Sequence, residues 1–397
     1  MDKKTLIFIE DGSFTYDNRV IREADTLVRS GWDVTVISPK YNHDPFYKKI
    51  NNNLRAYYYP KPTTKSMLGH LTETLVSLIF GSVLTLWVYI KHGFSLFHAC
   101  NPMDILWIIA LPYKVLGKKF LYDHHDLCPE LYFSRNSSER KYHLLYKILI
   151  ILEKYSYKFA DVVISTNDSY SEIALSRGGK DPKDVYVVRN GPDLNKFKLL
   201  PPKKGLKKSG DVLIGYLGNM NPQDGVEYLI NAAAEIVKKR GLANFKFIII
   251  GGGSSKPQLL KKSKVLCLEN NVKFTGLLFG NDMISTLSAC DICVQPDPLN
   301  QLNDKSTMNK ALEYMALGKP VIAFDLRETR VSCGNAAIYV KPNDIVDLAD
   351  KIVFLSGKKE LILSMGRIGR ARVENKFSWK YSIPHLLSAY NHVKKRN

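Results

Sequence analysis

Asp304-Lys-Ser-Thr-Met-Asn-Lys-Ala-Leu-Glu-Tyr-Met-Ala-Leu-Gly-Lys-Pro-Val-Ile-Ala323 reads as a loop, a helix, a glycine stop and then a buried strand. Ser306 or Asp304 can cap the helix, Gly318 can end it in a left-handed conformation, and Pro320 leads into the apolar run. The first-turn amides of such a helix point beyond its N-terminus, where the dipole favours a phosphate. Glu313 falls about two turns in, and Lys310, three residues earlier, shares its face.

Outward from this stretch the same alternation recurs. Apolar strand-like runs at 5–9, 34–38, 96–98, 119–122, 162–165 and 185–188 are separated by helical segments, and a second series follows at 212–216, 246–250, 272–274, 292–295, 321–324 and 337–340. Strands that alternate with helices build parallel sheets with helices on both faces. Between the two series the Pro-, Gly- and Lys-rich run 199–210 suits an exposed linker. The expected organisation is a first α/β domain over 1–200, a linker at 201–210, a second α/β domain over 211–375, and a C-terminal helix over 376–397 that packs back on the first. Two such Rossmann-like domains facing each other across a cleft place ligands at the carboxyl ends of their strands.

Composition agrees. A chain of 397 residues exceeds what one core usually serves, and 45% hydrophobic with 24% charged residues is ordinary for globular domains. The net charge of +19 implies an anionic partner: nucleic acid, acidic lipid or phosphorylated substrate. Neither a nucleic-acid stacking signature nor a basic recognition helix is present, so nucleic acid is the weaker candidate and a membrane surface the stronger. Two segments bear on that. The run 75–90 is nearly all apolar but short of the ~20 residues a spanning helix needs, so a buried or membrane-dipping helix fits it. The run 141–159 is amphipathic, with Leu144, Leu145, Ile148, Leu149 and Leu152 on one side and Arg140, Lys147, Lys154 and Lys158 on another. Such a helix suits an anionic bilayer or, equally, simple packing on a sheet.

The six cysteines are scattered. Cys290 and Cys293 are the one pair with ligand-like spacing, and in a strand residues three apart point to opposite faces, so reduced buried thiols in a cytoplasmic compartment are expected. The run Leu6-Ile-Phe-Ile9 is too short for a signal-peptide core and reads as a first buried strand. Gly178-Gly-Lys180 lacks the spacing of a phosphate-binding Walker loop, and Gly251-Gly-Gly253 lacks the full dinucleotide fingerprint.

The 304–323 stretch resembles the donor-binding motif of glycosyltransferase family 4, retaining enzymes of the GT-B fold. The likeness runs through Val188-Arg-Asn-Gly-Pro-Asp193 with Phe197, Gly215-Tyr-Leu-Gly218, Ile250-Gly-Gly-Gly253, Val272-Lys-Phe-Thr-Gly276, Ala289-Cys-Asp291 and Phe377-Ser-Trp379. In that family two glutamates eight positions apart meet the donor sugar and the ribose hydroxyls. Glu313 matches the second, whereas the first falls on Lys305. The family also places an arginine and a lysine after the first strand of the second domain to hold the diphosphate. Here those positions read Asn219 or Met220 and Asp224, so Lys305, Lys310 or Arg19 would have to supply the charge.

The resemblance implies a donor site of Gly218, Asn219, Asn221, Gly276, Ser306, Thr307, Met308, Asn309, Lys310 and Glu313. It matches His125, in Tyr122-Asp-His-His-Asp126, to a cleft-facing histidine that positions the transferred sugar or acceptor hydroxyl, and makes His125, Glu313 and Lys305 the catalytic candidates. Gly12, Arg19 and Asp126 fall on the acceptor or phosphate side. Arg19 is equally readable as a solvated residue at a helix start.

The implied activity is retaining transfer of a hexosyl or N-acetylhexosaminyl group from a nucleotide-diphosphate-sugar to a glycan or lipid-linked acceptor. It would serve polysaccharide or surface-glycan assembly on the cytoplasmic face of a membrane, with peripheral contact to anionic lipid, no cofactor and no metal. Rival readings are a nucleotide-sugar epimerase of the same fold and a donor-binding but inactive partner subunit.

Overall fold

The computed structural model describes residues 2–41, 43–62, 67–102, 104–136 and 141–395. The chain forms two compact units, residues 1–189 with 382–397, and residues 190–381.

The first unit is built on strands β1 (Lys4–Ile9), β2 (Asp33–Pro39), β3 (Tyr47–Asn51), β4 (Leu54–Tyr59), β5 (Leu96–Cys100), β6 (Lys119–His124), β7 (Val162–Ser165) and β8 (Val185–Val187). They lie in the order β3-β4-β2-β1-β5-β6-β7-β8, all parallel except that β3 runs antiparallel to β4. Helices α1 (Asn18–Arg29), α2 (Met67–Lys91), α3 (Trp107–Val115), α4 (Cys128–Asn136), α5 (Lys141–Phe159) and α6 (Asp168–Ser176) connect them. The central strands are apolar on both faces because both faces are covered: Leu6, Ile7 and Phe8 are fully buried.

The second unit has strands β9 (Val212–Leu217), β10 (Phe245–Ile250), β11 (Val272–Gly276), β12 (Ile292–Gln295), β13 (Val321–Phe324) and β14 (Ala337–Val340), in the parallel order β11-β10-β9-β12-β13-β14. Helices α7 (Val226–Ala234), α8 (Lys256–Val265), α9 (Gly280–Ser288), α10 (Asn309–Ala316), α11 (Arg327–Cys333), α12 (Ile345–Ser356) and α13 (Lys359–Arg372) surround it, and α14 (Trp379–Lys395) belongs to the first unit from Ser382 on. The strand order reverses between β9 and β12, so a ligand crevice is expected at the carboxyl ends of that pair.

Several expectations need correction. The run 199–210 is not a free linker: Leu200 and Leu206 pack against the core of the second unit, and the Lys203 amide donates to the Ser285 carbonyl at 2.9 Å. The chain therefore passes between units at 189/190. The hairpin of β3 and β4 was not expected, because Leu54-Arg-Ala-Tyr-Tyr-Tyr59 has no clean alternation to mark it. Cys290 and Cys293 do not diverge. Cys290 precedes β12, and both sulfurs converge on Gly215, within 2.7 and 3.3 Å of where its Cβ would sit. All six cysteines are free thiols.

Helix α2 is also longer than its apolar run suggested, and residues Thr72–Lys91 have the length and mean hydropathy, 1.7, of a membrane span. It is nevertheless docked on the sheet. Gly81 faces the ring of Phe8, and a Cβ there would come within 2.5 Å of that ring and 3.2 Å of Ile109. Alanine at position 81 gains about 1 kcal/mol of helix propensity but forces a buried aromatic aside. Gly81→Ala is expected to destabilise the first unit by about 1–3 kcal/mol, read as a lower denaturant midpoint at unchanged slope.

Candidate functional site

At the carboxyl ends of β9 and β10 the backbone is drawn together. The Gly218 amide donates to Ile250 O at 3.0 Å, Met220 N to Gly252 O at 2.8 Å, and Ser255 N to Met220 O at 2.8 Å. A Cβ on Gly251 (φ +136°) would stand 1.9 Å from Gly218 O, so only glycine fits there. Asn221 follows, and its Oδ1 accepts from the amide and hydroxyl of Ser254 at 3.1 and 2.9 Å. Of the two alternatives for the first missing basic position, Met220 is fully buried and Asn219 is exposed, so Asn219 is the residue presented to a ligand.

Helix α10 lies across the same strand ends. Tyr314 accepts the Leu217 amide on its hydroxyl at 2.7 Å and sits 3.3 Å from Val294 O, tying α10 to both β9 and β12. The expected cap is absent: Met308 occupies the N-cap position without a side-chain hydrogen bond to the helix. Ser306 instead donates to Leu302 O at 2.8 Å, and Asp304 accepts the Arg327 amide at 2.8 Å. The reason is a separate helical turn, Asn303–Lys305, which consumes the loop before α10 can use it. Asn303 pins that turn by donating to Gln223 O and Pro298 O, both at 2.9 Å. Ser306, Thr307 and Met308 are half-buried, Asn309 is exposed, and Gly318 ends the helix at φ +65° as expected.

Lys310 is engaged. Its ammonium lies 2.7 Å from the buried Asp297 and 3.9 Å from Asp224, with the Tyr216 ring 5.3 Å away and its Cε packed at Gly218. Burial pushes the Asp297 carboxyl up, while Lys310 pulls it back down. Lys310 is thus matched by carboxylates of the chain itself, which weakens it as a counter-charge for a diphosphate. Lys305 and Glu313 are both half-buried on the α10 side of the loop. Asp297 and Lys256 were missed by sequence reasoning; the Lys256 ammonium lies 3.8 Å from the position a Cβ would take on Gly276. Asp297 could have been suspected as a lone acid just beyond a buried strand.

In the first unit, Gly12, Asn101, His125 and Asp126 follow β1, β5 and β6, neighbouring strands in register, and so share one end of the sheet. Asn101 holds the histidine loop: its Oδ1 accepts the amides of His125 and Asp126 at 2.6 and 3.0 Å. The Asp126 carboxylate and Gly12 (φ +84°) face solvent. His125 turns its Nε2 onto Asp123.

Arg19 is neither solvated nor placed to meet a phosphate. It is buried, donates to both Asp123 oxygens at 3.2 and 2.8 Å and to Val188 O at 2.7 Å, and lies 3.1 Å from Glu23. Burial would raise the Asp123 carboxyl, yet Arg19 and His125 hold it far below the usual range. Burial, and then repulsion from Asp123, push the Glu23 carboxyl well above its ordinary value, and burial keeps His98 neutral. Arg19 therefore pairs first with Asp123, and the neighbouring Glu23 holds its proton more tightly than a free glutamate does. An ionised Asp123 can only accept, so the proton of that hydrogen bond belongs to His125 Nε2, and Nδ1 is its basic nitrogen.

Residues 17–196 match the family described as Glycosyltransferase Family 4, and residues 211–357 match Glycosyl transferases group 1. A capsular polysaccharide biosynthesis glycosyltransferase of Staphylococcus aureus is 28% identical over 62% of this chain and 65% of its own length. The chain thus spans about half to two thirds of the length of the first curated relatives it matches. The sucrose-phosphate synthase of Thermosynechococcus elongatus is similar in fold, with a TM-score of 0.78 at 17% identity over 99% of this chain and 100% of that one. An Anabaena protein solved in complex with UDP-glucose has a TM-score of 0.69 at 18% identity over 98% and 99%. Both likenesses are of fold, and the fold is GT-B.

The buried cluster gives a pH dependence of definite sign. Glu23 keeps a proton in the folded state that the unfolded chain releases above about pH 4.3, so wild-type stability declines as pH rises through that interval towards the folded value. Glu23→Gln keeps the neutral hydrogen-bonding shape without that cost. Its stability relative to wild type is expected to rise as pH increases above about 4.3, by at most ~1.4 kcal/mol per pH unit. Asp123→Asn behaves oppositely, costing about 3 kcal/mol at neutral pH because the buried Arg19 loses its bidentate partner and keeps only Glu23 and the Val188 carbonyl. Its penalty shrinks only in strong acid, where the wild-type aspartate also loses its charge. Urea titrations across that pH range check both.

Proposed function

Because this chain belongs to the family 4 glycosyltransferases of GT-B fold, we propose that it is a retaining enzyme that moves a sugar from a nucleotide-diphosphate-sugar to a glycan or lipid-linked saccharide. The observation that carries this reading is the architecture at the ends of β9 and β10: a glycine-only backbone crossing beside the N-terminal turn of α10, with no side-chain cap on that turn. Open amides at a helix N-terminus, approached by backbone without Cβ atoms, suit a diphosphate. Negative charge growing on the leaving phosphate is stabilised by fixed dipoles and by Lys305, and the reaction is expected to run without a metal.

Glu313 hydrogen-bonds the ribose hydroxyls, as the family motif implies. On the first unit His125 positions the transferred sugar or the acceptor hydroxyl, held by Asp123 so that Nδ1 is its basic nitrogen. The capsular polysaccharide role of the S. aureus relative supports a surface-glycan acceptor. Transfer from a UDP-sugar finds support in the Anabaena complex with UDP-glucose.

A second reading is favoured by one feature. Lys305 replaces the sugar-contacting glutamate, and Asp224 and Asp297 flank the nearby Lys310, an arrangement that suits a donor-binding subunit without turnover of its own.

Binding and hydrolysis of UDP-, GDP- and dTDP-sugars in the presence of EDTA separate the two. One donor class is expected to bind, and Glu313→Ala to weaken that binding by about 10–100-fold, the worth of charge-assisted hydrogen bonds. Proton NMR of the transferred sugar is expected to show the anomeric configuration of the donor retained. Donor binding without hydrolysis or transfer identifies the inactive subunit. A folded protein that binds none of the three donor classes sinks both readings.

A further inference from the structure

We propose that the outer face of α2, α3 and α5 is a docking facet for an anionic bilayer surface, on which the first unit lies without crossing. Helix α2 carries two stripes. Ser77, Gly81, Leu84, Thr85 and Val88 are buried, and Ser77 donates to Glu10 at 3.1 Å. On the opposite side Leu75, Ile79, Val83, Leu86, Trp87 and Ile90 are exposed at helical spacing, Ile90 to 74%. A helix with one stripe committed to its own sheet cannot be surrounded by lipid, so its span-like length does not make it a span. A surface helix of a soluble domain normally turns polar residues outward, and this one turns apolar ones.

The facet is continuous. Ile109 of α3 meets α2 at Gly81, and Trp107 of α3 packs on Tyr155 and Phe159 of α5 with ring centroids 5.4 and 5.0 Å apart. Beyond those contacts α3 and the turn after it expose Ile108, Val115 and Leu116, Val115 to 86%. Helix α5 does not present the single apolar side expected from its sequence. Leu145, Leu149 and Leu152 turn partly inward, while Leu144, Ile148 and Ile151 point outward; Arg140 lies outside the described residues. Single exposed apolar residues are ordinary, but a patch shared by three adjoining helices calls for an occupant.

Charge decides which occupant. Lys147, Lys154 and Lys158 alternate with the outward apolar residues of α5, Lys91 lies over Trp87, and Lys118 lies over Tyr89. Among the described residues of the three helices the carboxylates are Glu73, half-buried, and Glu153, fully buried. The core of a protein interface is depleted of lysine, whereas at a bilayer lysines snorkel to the headgroups above inserted apolar residues, with Trp and Tyr at the same level. Apolar insertion framed by lysines fits anionic lipid.

Flotation of the purified chain with vesicles tests this without donor or acceptor, so its outcome is independent of the glycosyltransferase reading. The chain is expected to float with phosphatidylcholine vesicles carrying about one-third phosphatidylglycerol, and several-fold less with phosphatidylcholine alone, each lysine near the surface contributing about fivefold. Ile79→Asp with Val83→Asp, both on the exposed stripe, is expected to cut binding at least about tenfold with the melting curve unchanged. Lys147→Glu with Lys154→Glu is expected to remove the preference for anionic lipid. A wild-type chain that stays unbound by both vesicles overturns the proposal, as does binding indifferent to both variants. A chain that self-associates, is dispersed by the aspartate variant and ignores vesicles makes the facet a protein interface instead.

Discussion

The second unit depends on a distance that admits no side chain. Where β9 and β10 end, the carbonyl of Gly218 and the Cα of Gly251 approach so closely that a methyl group at 251 would overlap the oxygen. Gly253 against Met220 and Gly225 against Pro296 repeat the constraint on neighbouring loops. Because three loops meet backbone to backbone, the strand ends form a floor of peptide groups, and α10 can lie across it with Tyr314 bound to β9 and β12. Any larger residue at these points would lift a loop by more than an ångström. That is enough to lose the alignment on which a charge-stabilising site relies.

The first unit solves a different problem, that of holding a histidine at a sheet end with a buried acid. Asp123 needs a cation, and Arg19 supplies it from α1, at the cost of desolvating both. A second carboxylate, Glu23, is buried close enough to Asp123 that its own pKa is pushed well above the ordinary value. The cluster is finished by His98, whose Nδ1 lies 2.7 Å from the hydroxyl of Tyr390 on α14. The last helix thereby becomes part of the support of His125, reaching it through His98 and Asp123. A residue that looks like a phosphate ligand by position, Arg19, is instead the reason a neighbouring acid stays charged.

This division explains what the sequence could and could not reveal. The positions of most strands and the α10 stretch were legible because they rest on local signals: apolar runs, a glycine at a helix end, a fixed spacing between Lys310 and Glu313. The partner of each charged group was not, because it is set by residues far apart in the chain. Arg19 meets Asp123 across 104 positions, and Lys310 meets Asp297 from a different loop. The cap of α10 was misplaced for a related reason. Ser306 and Asp304 have the right chemistry, but a preceding turn that only tertiary contacts of Asn303 stabilise takes them away. The linker was misread because Pro, Gly and Lys mark exposure and say nothing of Leu200 and Leu206 between them. The stripes of α2 were invisible to a hydropathy average, which sees the same apolar residues whether they face a sheet or solvent.

The two halves of the first unit's surface bear on one another through the direction of its strands. In a parallel sheet a connecting helix starts where the preceding strand ends, so the opening turn of α3, which follows β5, lies at the edge that carries Gly12, Asn101 and His125, and α5 leads into β7 at the opposite edge. Helix α5 is about 28 Å long, at 1.5 Å for each of its 19 residues, enough to span the sheet from one edge to the other. A facet made of these helices is therefore not remote from the histidine edge but leads up to it. A soluble acceptor would gain nothing from that arrangement. An acceptor whose lipid stays in the bilayer would gain a great deal, because a chain resting on α2, α3 and α5 replaces a three-dimensional search with one confined to the membrane plane.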